Sequence, residues 1–513
     1  MTTWLRGLFP VRPEERRIVT LLYALLSITV IANWVGKVGS NSIFIKSVGV
    51  TYLPVAYVLA PVVLLLASTI IFSLVGRMRR RDLFIWYVGI VAVLSVAAQV
   101  LLPVTSGDYW FTYVLAQVVK DTIYLIFWVY AGNLFDSEQS KRIFPLFAGS
   151  LLVGKIVGGF MAAALTPLIH SESFMAIEAA GFGVAFVILI LYRRHLPEGE
   201  GALRVGPAER KGIGERLAGS LNGYKLVSRD TLLRPFGVNI FFWYFLMQIA
   251  NYLFAAGLDA ASKAGTLQQS QDDYTILYAS VYTSGSIVAL GIQTFLTGNL
   301  IRRLGVSVVI FAFPLWYLVT FGAGTYFGLT AGAGLIIAVL LQAAERIVIP
   351  AVHLPATQII YSQVASSVRP RARAFFSGGL NAVAEIGAAL VLVAGAISAS
   401  PQAVLAFGTI CSALFVGNTL SLRRALGRRI VENLRSTDPE LRRNAAQMLH
   451  GEGGAVPTSD LEGLLGEGSS ADIEARVQHA LTRRGKQRPV ATGEKIGTVT
   501  ADVLTLADER STK

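Results

Sequence analysis

Twelve apolar stretches dominate the sequence, and each approaches or exceeds the roughly 20 residues that a helix needs to cross a bilayer. They occupy residues 18–38, 52–76, 83–103, 109–134, 143–168, 174–192, 236–257, 274–300, 305–325, 330–352, 374–397 and 402–422. Hydrophobic residues make up 53% of the chain and charged residues only 15%, with a mean hydropathy of +0.56. This composition excludes an ordinary soluble protein. The sequence therefore predicts an all-α polytopic membrane protein with twelve transmembrane helices.

The basic residues predict how the spans are oriented. With the N-terminus inside, 39 of the 45 lysines and arginines fall in segments that face the cytoplasm. Positive residues near span ends are retained on that side, so both termini are expected to be cytoplasmic in the cell inner membrane. The same bias explains the net charge of +13 without a nucleic-acid partner.

A long charged segment at 193–235 divides the spans into six plus six. We expect one six-helix half over 1–192 and the other over 236–422, joined by this cytoplasmic loop. Two such halves are the layout of major-facilitator-type carriers. A small helical tail is predicted at 423–488, and a disordered tail at 489–513 because its composition is polar.

Six ionisable residues lie inside the spans, where a charge costs about 2.5–3.5 kcal/mol on insertion scales. They are Lys120, Asp121, Lys155, Glu345, Arg346 and Glu385. The fourth and tenth spans each carry an adjacent charged pair, and the fifth and eleventh each carry one charge at comparable depth. These positions indicate an internal repeat and are candidates for lining a cavity between the halves.

Polar neighbours extend this candidate site. Gln117, Gln342 and Asn381 each lie about one turn before a charged position, on the same helix face. Lys37, at the outer end of the first span, would give the site one net positive charge and favour an anionic ligand. An alternative interpretation is that the charges form salt bridges between the halves and hold them in register.

No enzyme, metal site or cofactor is predicted. The single cysteine, Cys411, excludes a disulfide framework and a cysteine metal cluster. The stretch GSLLVGKI at 149–156 begins like a phosphate-binding loop, but Ile156 stands where that motif needs Ser or Thr, and no strand precedes it. No nucleophile–base–acid arrangement is recognisable in the chain.

The tail contains two related segments, DPELRRNAAQML and ADIEARVQHAL. Both resemble the second helix of HEAT-type repeats, which stack helix pairs side by side. Two units are fewer than a free-standing stack usually needs. The tail is therefore expected to rest on the membrane domain or on a cytoplasmic protein partner.

The run YVLAQVVKDTIYLIFWVYAGNLFDSEQSKRIFPLFAGSLLVGKIVGG at 113–159 resembles the ATP/ADP nucleotide carriers of intracellular bacteria and plastids. The resemblance rests on Phe127-Trp128, Asn133, Lys141-Arg142 and Leu146-Phe147, and the entry LFPVRPEERRIVTLLY is similar too. Carriers of this type joined to a HEAT-like tail form a bacterial subgroup. The resemblance implies an ATP:ADP antiporter-like function.

That family uses a basic residue in the first span, acidic residues in the fourth and seventh, and a basic residue in the eleventh. Lys37 matches the first role, and Gln117 stands at the fourth-span position with Asp121 one turn later. The seventh span has no acid over 251–258, and the eleventh carries Glu385 instead of a basic residue.

Three functions remain open from the sequence. The first is a secondary carrier that moves an anionic solute, with nucleotide as a candidate, by alternating access. The second is a proton-coupled or lipid-moving carrier in which buried carboxylates bind protons. The third is a membrane-held scaffold that recruits a partner through its tail.

Overall fold

A computed structural model describes most of the two membrane halves. The described residues are 11–75, 78–101, 106–131, 134–135, 137–197, 227–265, 270–328, 333–365, 368–398, 400–452, 456, 461–462, 477–478 and 481. Several sequence predictions lie outside them: most of the loop at 193–235, Asn133, the side chains of Lys141 and Arg142, and almost all of the tail after 452.

Every regular element in the described residues is helical, and twelve helices there are long and apolar enough to cross a membrane. In the first half these are α1 Arg16–Ser47, α2 Leu53–Val75, α3 Arg80–Leu101, α4 Ser106–Ala131, α5 Ser137–Ile169 and α6 Phe174–Leu191. In the second half they are α7 Leu233–Lys263, α8 Gln271–Leu304, α9 Val306–Phe327, α10 Ala333–Ser362, α11 369–398 and α12 Pro401–Leu434. The predicted fold class is confirmed.

The outer surface of the bundle is apolar. Large side chains such as Phe160, Leu168 and Phe295 are exposed, as expected where helices face lipid. A soluble protein would not leave so much contiguous apolar surface uncovered. The helical backbone satisfies its own hydrogen bonds, which hydrocarbon requires.

The two halves repeat one packing pattern. In the first half α1 packs against α4, α5 and α6, while α3 packs against α4 and α6. In the second half α7 packs against α10, α11 and α12, while α9 packs against α10 and α12. Each helix of the second half therefore has the same neighbours as the corresponding helix of the first half, so that α7 corresponds to α1 and α12 to α6. This pattern agrees with the internal repeat indicated by the sequence.

The halves meet along two equivalent contacts. Helix α5 packs along α8, and α2 packs along α11; α1 also contacts α8. Exchanging the halves converts the first contact into the second. We call the ends of the bundle where α1 begins and α12 ends the terminus side, which the sequence predicts to be cytoplasmic, and the opposite ends the far side.

Three π-helical segments occur in the described part of the second half. They are Gln293–Thr297 in α8, Ala344–His353 in α10 and Phe375–Leu380 in α11. Pro350 lies inside the longest one and lacks the N–H that a regular helix would use. Local π windings are rare and are frequently found at functional sites.

The end of the second half extends beyond its last apolar stretch. Helix α12 continues from the predicted end at 422 to Leu434, and a thirteenth helix, α13 Pro439–Glu452, follows. Helix α13 packs against α12, the last turns of α8 and the start of α9. Arg369 Nη2 lies 3.2 Å from Glu440 Oε1, and Asn444 donates to the Ser362 carbonyl oxygen at 3.2 Å.

Helix α13 belongs to the same compact unit as the membrane helices, 1–456, and residues 457–513 form a second unit.

Deleting 457–513 should therefore leave the melting temperature of the membrane unit unchanged. Deleting 439–513 should lower it by several degrees, because the contacts that the buried side chains Ala445, Met448 and Leu449 make with the membrane helices would be removed. A thiol-reactive dye that reports exposure of the buried Cys411 on heating measures both. Equal melting temperatures for the two truncations would contradict the structural role of α13.

Candidate functional site

A central cavity lies between the two halves. Helices α1, α2 and α4 line it from one half, and α7, α8, α10 and α11 line it from the other. The space between these lining residues amounts to about 810 Å³, part of which is open solvent. Its position between the repeats near the middle of the spans is the position that carrier folds of two repeats use for substrate.

Seven of the ten residues singled out from the sequence line this cavity. They are Lys37, Gln117, Lys120, Asp121, Glu345, Arg346 and Glu385. Of the other three, Gln342 contacts Arg346, Lys155 lies behind the cavity wall against Trp34, and Asn381 lies one turn along α11 from Glu385. The ten residues come from five helices, and the seven that line the cavity lie on α1, α4, α10 and α11.

The ion pairs form within single helices. Lys120 Nζ lies 3.4 Å from Asp121 Oδ2 on α4, and Arg346 Nη2 lies 3.1 Å from Glu345 Oε1 on α10. Neither pair joins the two halves. This geometry disagrees with the alternative in which these charges act as salt bridges between the halves.

Two cations have no carboxylate within ion-pair distance among the described residues. Lys37 on α1 is 5% exposed and lines the cavity, and Lys155 on α5 is half-buried beside it. Burying an unpaired ammonium group is costly, and such groups are kept where they bind something.

Trp34 is the residue around which the cations gather. Its indole ring is 2% exposed, and Lys37 Nζ, Lys155 Nζ and Arg346 Cζ lie 5.1, 5.3 and 5.5 Å from the ring centroid. The face of an indole ring attracts cations, most strongly where water is excluded. Three positive groups from α1, α5 and α10 are therefore held around one ring. Trp34 was not among the residues predicted from the sequence, although it lies three residues before Lys37 and therefore on the same helix face.

Close packing of α5 on α1 brings Lys155 to this ring. A Cβ atom at Gly158 would lie 2.8 Å from Trp34 Cβ and 2.9 Å from the Ile31 carbonyl oxygen. A Cβ atom at Gly154 would lie 2.8 Å from Val30. The two glycines let the helix backbones approach as small residues do in membrane interfaces.

In addition to the Trp34 ring of the first half, Arg346 contacts side chains of its own half. Its guanidinium carbon lies 3.7 Å from the centroid of the Tyr282 ring. With the Gln342 amide turned so that both of its ends are satisfied, the amide oxygen accepts from Nε at 3.0 Å and from Nη2 at 2.9 Å. The Gln342 amide nitrogen in turn donates to Asn251 at 3.0 Å. A guanidinium held this rigidly loses little entropy when it binds a further anionic group.

Aromatic side chains form the rest of the cavity wall. Tyr57, Tyr113 and Tyr278 are buried there, and the Tyr278 ring lies 4.9 Å from Phe254 and 5.5 Å from Tyr282. Such rings present flat apolar surface together with hydroxyl groups. The cavity therefore combines a cationic region with an aromatic one.

On the far side, hydrogen bonds tie the two halves together at one point. Asp272, at the start of α8, accepts from the Ser171 backbone N–H at 3.0 Å and from its hydroxyl at 2.9 Å. His170 Nδ1 lies 2.7 Å from the other Asp272 oxygen, and Gln271 donates to the Ser171 hydroxyl at 2.9 Å. We call these four residues the far-side latch, because the halves cannot separate there without breaking it.

Comparison with known proteins yields matches at the level of structure. No protein-family model and no curated protein sequence matches the chain. The nucleoside transporter NupG superposes with a TM-score of 0.53 at 16% identity, covering 79% of this chain and 99% of its own. A POT family peptide transporter in complex with sulfate gives 0.56 at 13% identity, covering 80% and 94%. The human organic anion transporter MFSD10 gives 0.52 at 14% identity, covering 80% and 100%.

The chain has a major-facilitator-like fold. The identities are too low to carry over a substrate, so the superpositions support the twelve-helix architecture and its two halves. Resemblance to the ATP/ADP carriers and the HEAT-like tail stay predictions.

The latch should respond to pH. The hydrogen bond and negative charge of Asp272 raise the pKa of the exposed His170, and Glu172 adds to this. The stabilisation of the closed far side is thus complete below the ordinary histidine pKa of about 6.5 and is lost as pH rises through the raised value. Spin labels at Lys46→Cys and Lys263→Cys, with the native cysteine changed to serine, should report longer far-side distances at higher pH.

His170→Gln keeps a hydrogen-bonding side chain but cannot titrate between pH 6 and pH 9, so its distance distribution should not change over that range. A wild-type pH response that survives in this variant would assign the effect to another group.

Proposed function

We propose that this protein is a secondary transporter that moves an anionic solute by alternating access. The observation that carries the proposal is the group of three cations around Trp34, two of which lack a carboxylate partner in the described residues. In and beside the cavity, four cations face three carboxylates, and two of those carboxylates already pair with their neighbours. A bound anion would neutralise the excess positive charge, which water inside the cavity would leave uncompensated.

The arrangement of the cations supports transport over simple binding. Lys37 and Lys155 come from the first half and Arg346 from the second, so a solute held by all three would bridge the halves. Because both contacts between the halves are equivalent, one half can rock against the other about this site. The far-side latch would open in one state and close in the other.

A nucleotide is the candidate solute. The cations suit phosphate groups, since arginine and lysine are the usual phosphate ligands in proteins. The aromatic wall formed by Tyr57, Tyr113 and Tyr278 suits a planar base. The sequence resemblance to ATP/ADP carriers adds support, and the structural neighbours include a nucleoside transporter and an organic anion transporter.

Exchange of radiolabelled ADP against ATP in proteoliposomes tests this proposal. Lys37→Gln and Lys155→Gln should each reduce exchange at least about tenfold, equivalent to 1.4 kcal/mol of lost binding. Lys263→Gln is the matched control, because that lysine is exposed and pairs with Asp259 on the far side. Melting followed through Cys411 shows that each variant is folded. Exchange retained by both cavity variants would contradict the proposed anion site, and lack of exchange by wild type would exclude adenine nucleotides.

Proton coupling is a second candidate, favoured by Glu385. This carboxylate lines the cavity, and no cation lies within ion-pair distance of it among the described residues. A carboxylate in that setting can gain and release a proton during the cycle. Transport should then depend on an imposed pH gradient in wild type, whereas Glu385→Gln should carry out exchange that is insensitive to it. Equal gradient dependence in both proteins would rule out coupling through Glu385.

A further inference from the structure

A second cavity lies on the terminus side of the second half, outside the residues singled out from the sequence. Helices α7, α10 and α11 line it, and the space between the lining residues amounts to about 610 Å³, part of which is open solvent. Its floor is aromatic and buried, with Trp243, Tyr361 and Phe376. Its rim is exposed and polar, with Gln358 and Arg373.

The second cavity follows the same helix faces as the central one. On α11, Arg373 and Ser377 line the second cavity, and Asn381 and Glu385 continue the same row at intervals of four residues towards the central cavity. On α7, Tyr244 lines the second cavity and lies one turn before Gln248 of the central one. A solute leaving the central cavity towards the terminus side would therefore pass along these faces.

The chemistry of the second cavity resembles that of the central one. The Arg373 guanidinium lies 4.8 Å from the Tyr361 ring centroid and donates through Nη2 to Gln358 Oε1 at 2.7 Å. The residues lining the cavity include no carboxylate, and none lies within ion-pair distance of Arg373 among the described residues. The remaining guanidinium donors are free to take an anionic group in bidentate geometry.

The aromatic residues add a surface for a planar ring. Trp243 and Tyr244 are stacked with ring centroids 4.9 Å apart and an interplanar angle of 5°. An arginine above a tyrosine and a flat aromatic pair beside it together match a solute that carries both an anionic group and an aromatic ring.

We propose that this cavity is a second binding site for the transported solute, occupied between the cytoplasm and the central cavity. The inference rests on the proposed function, since it gives both cavities the same phosphate-bearing, aromatic solute. Arg373 binds the phosphate, Gln358 orients the guanidinium, and the aromatic residues hold the base. With the far side held by its latch, this cavity provides the approach to the central site from the terminus side.

Equilibrium binding of radiolabelled ADP to the full chain in phosphatidylcholine nanodiscs tests the inference. Wild type should bind two ADP molecules per chain. Arg373→Gln should weaken one of the two sites at least about tenfold and leave the other unchanged, whereas Lys37→Gln should do the converse. Arg303→Gln, an exposed arginine on the same side of the bundle, should retain both sites.

The outcomes separate the two proposals. A single site that Lys37→Gln removes and Arg373→Gln leaves intact would overturn the second site while supporting the central one. No saturable ADP binding in wild type would overturn the nucleotide proposal together with the second site. Repeating the measurement with phosphatidylglycerol in the nanodiscs identifies the occupant, because displacement of ADP from the Arg373 site by this lipid would assign the cavity to lipid headgroups and overturn the inference.

Discussion

The arrangement of the molecule depends on holding several cations together inside an apolar bundle. Trp34 makes this feasible, because its ring attracts Lys37, Lys155 and Arg346 at once while giving them no counter-charge. The close approach of α5 to α1 at Gly158 brings Lys155 beside this ring, and a larger residue there would collide with Trp34 Cβ and with the Ile31 carbonyl oxygen. The cluster leaves positive charge uncompensated inside the bundle, and an anionic solute would neutralise it.

The two halves share a packing pattern but differ in their contributions. The first half supplies Lys37 and Lys155, which have no carboxylate partner in the part of the chain that the structure describes, and the Trp34 ring between them. The second half supplies Arg346 with its network, the second cavity and, within the described residues, all three π-helical segments. Glu345 and Arg346 themselves lie in the longest of these segments. The helix that carries Glu345 and Arg346 thus also contains the longest π-helical segment in the described residues, and such segments are frequently found at functional sites.

Several features were accessible from the sequence because they depend on local pattern. Hydropathy located the twelve spans, but it underestimated α12, whose apolar stretch ends near 422 while the helix continues to Leu434. A hydropathy profile identifies the apolar residues that can face lipid, whereas a helix continues as long as its backbone hydrogen bonds are satisfied. The charged residues were singled out because placing a charge in the membrane costs free energy. Most of them line one cavity, because this cost favours positions that face away from lipid.

The sequence by itself determined the class of fold, and it predicted the division into two halves and the helix faces on which the charged residues lie. These follow from composition and helical periodicity, which act over a few residues. Only the tertiary structure decided which charges pair, and it placed Lys120 with Asp121 and Glu345 with Arg346 within single helices. It also decided that Trp34 is the centre of the site, that His170 and Asp272 close the far side and that Arg373 faces a second cavity. The two ion pairs join adjacent residues, but the contacts of Trp34 with Lys155 and Arg346, the contact of His170 with Asp272 and the lining of the second cavity bring together helices that lie more than a hundred residues apart in the chain. No local pattern records that packing.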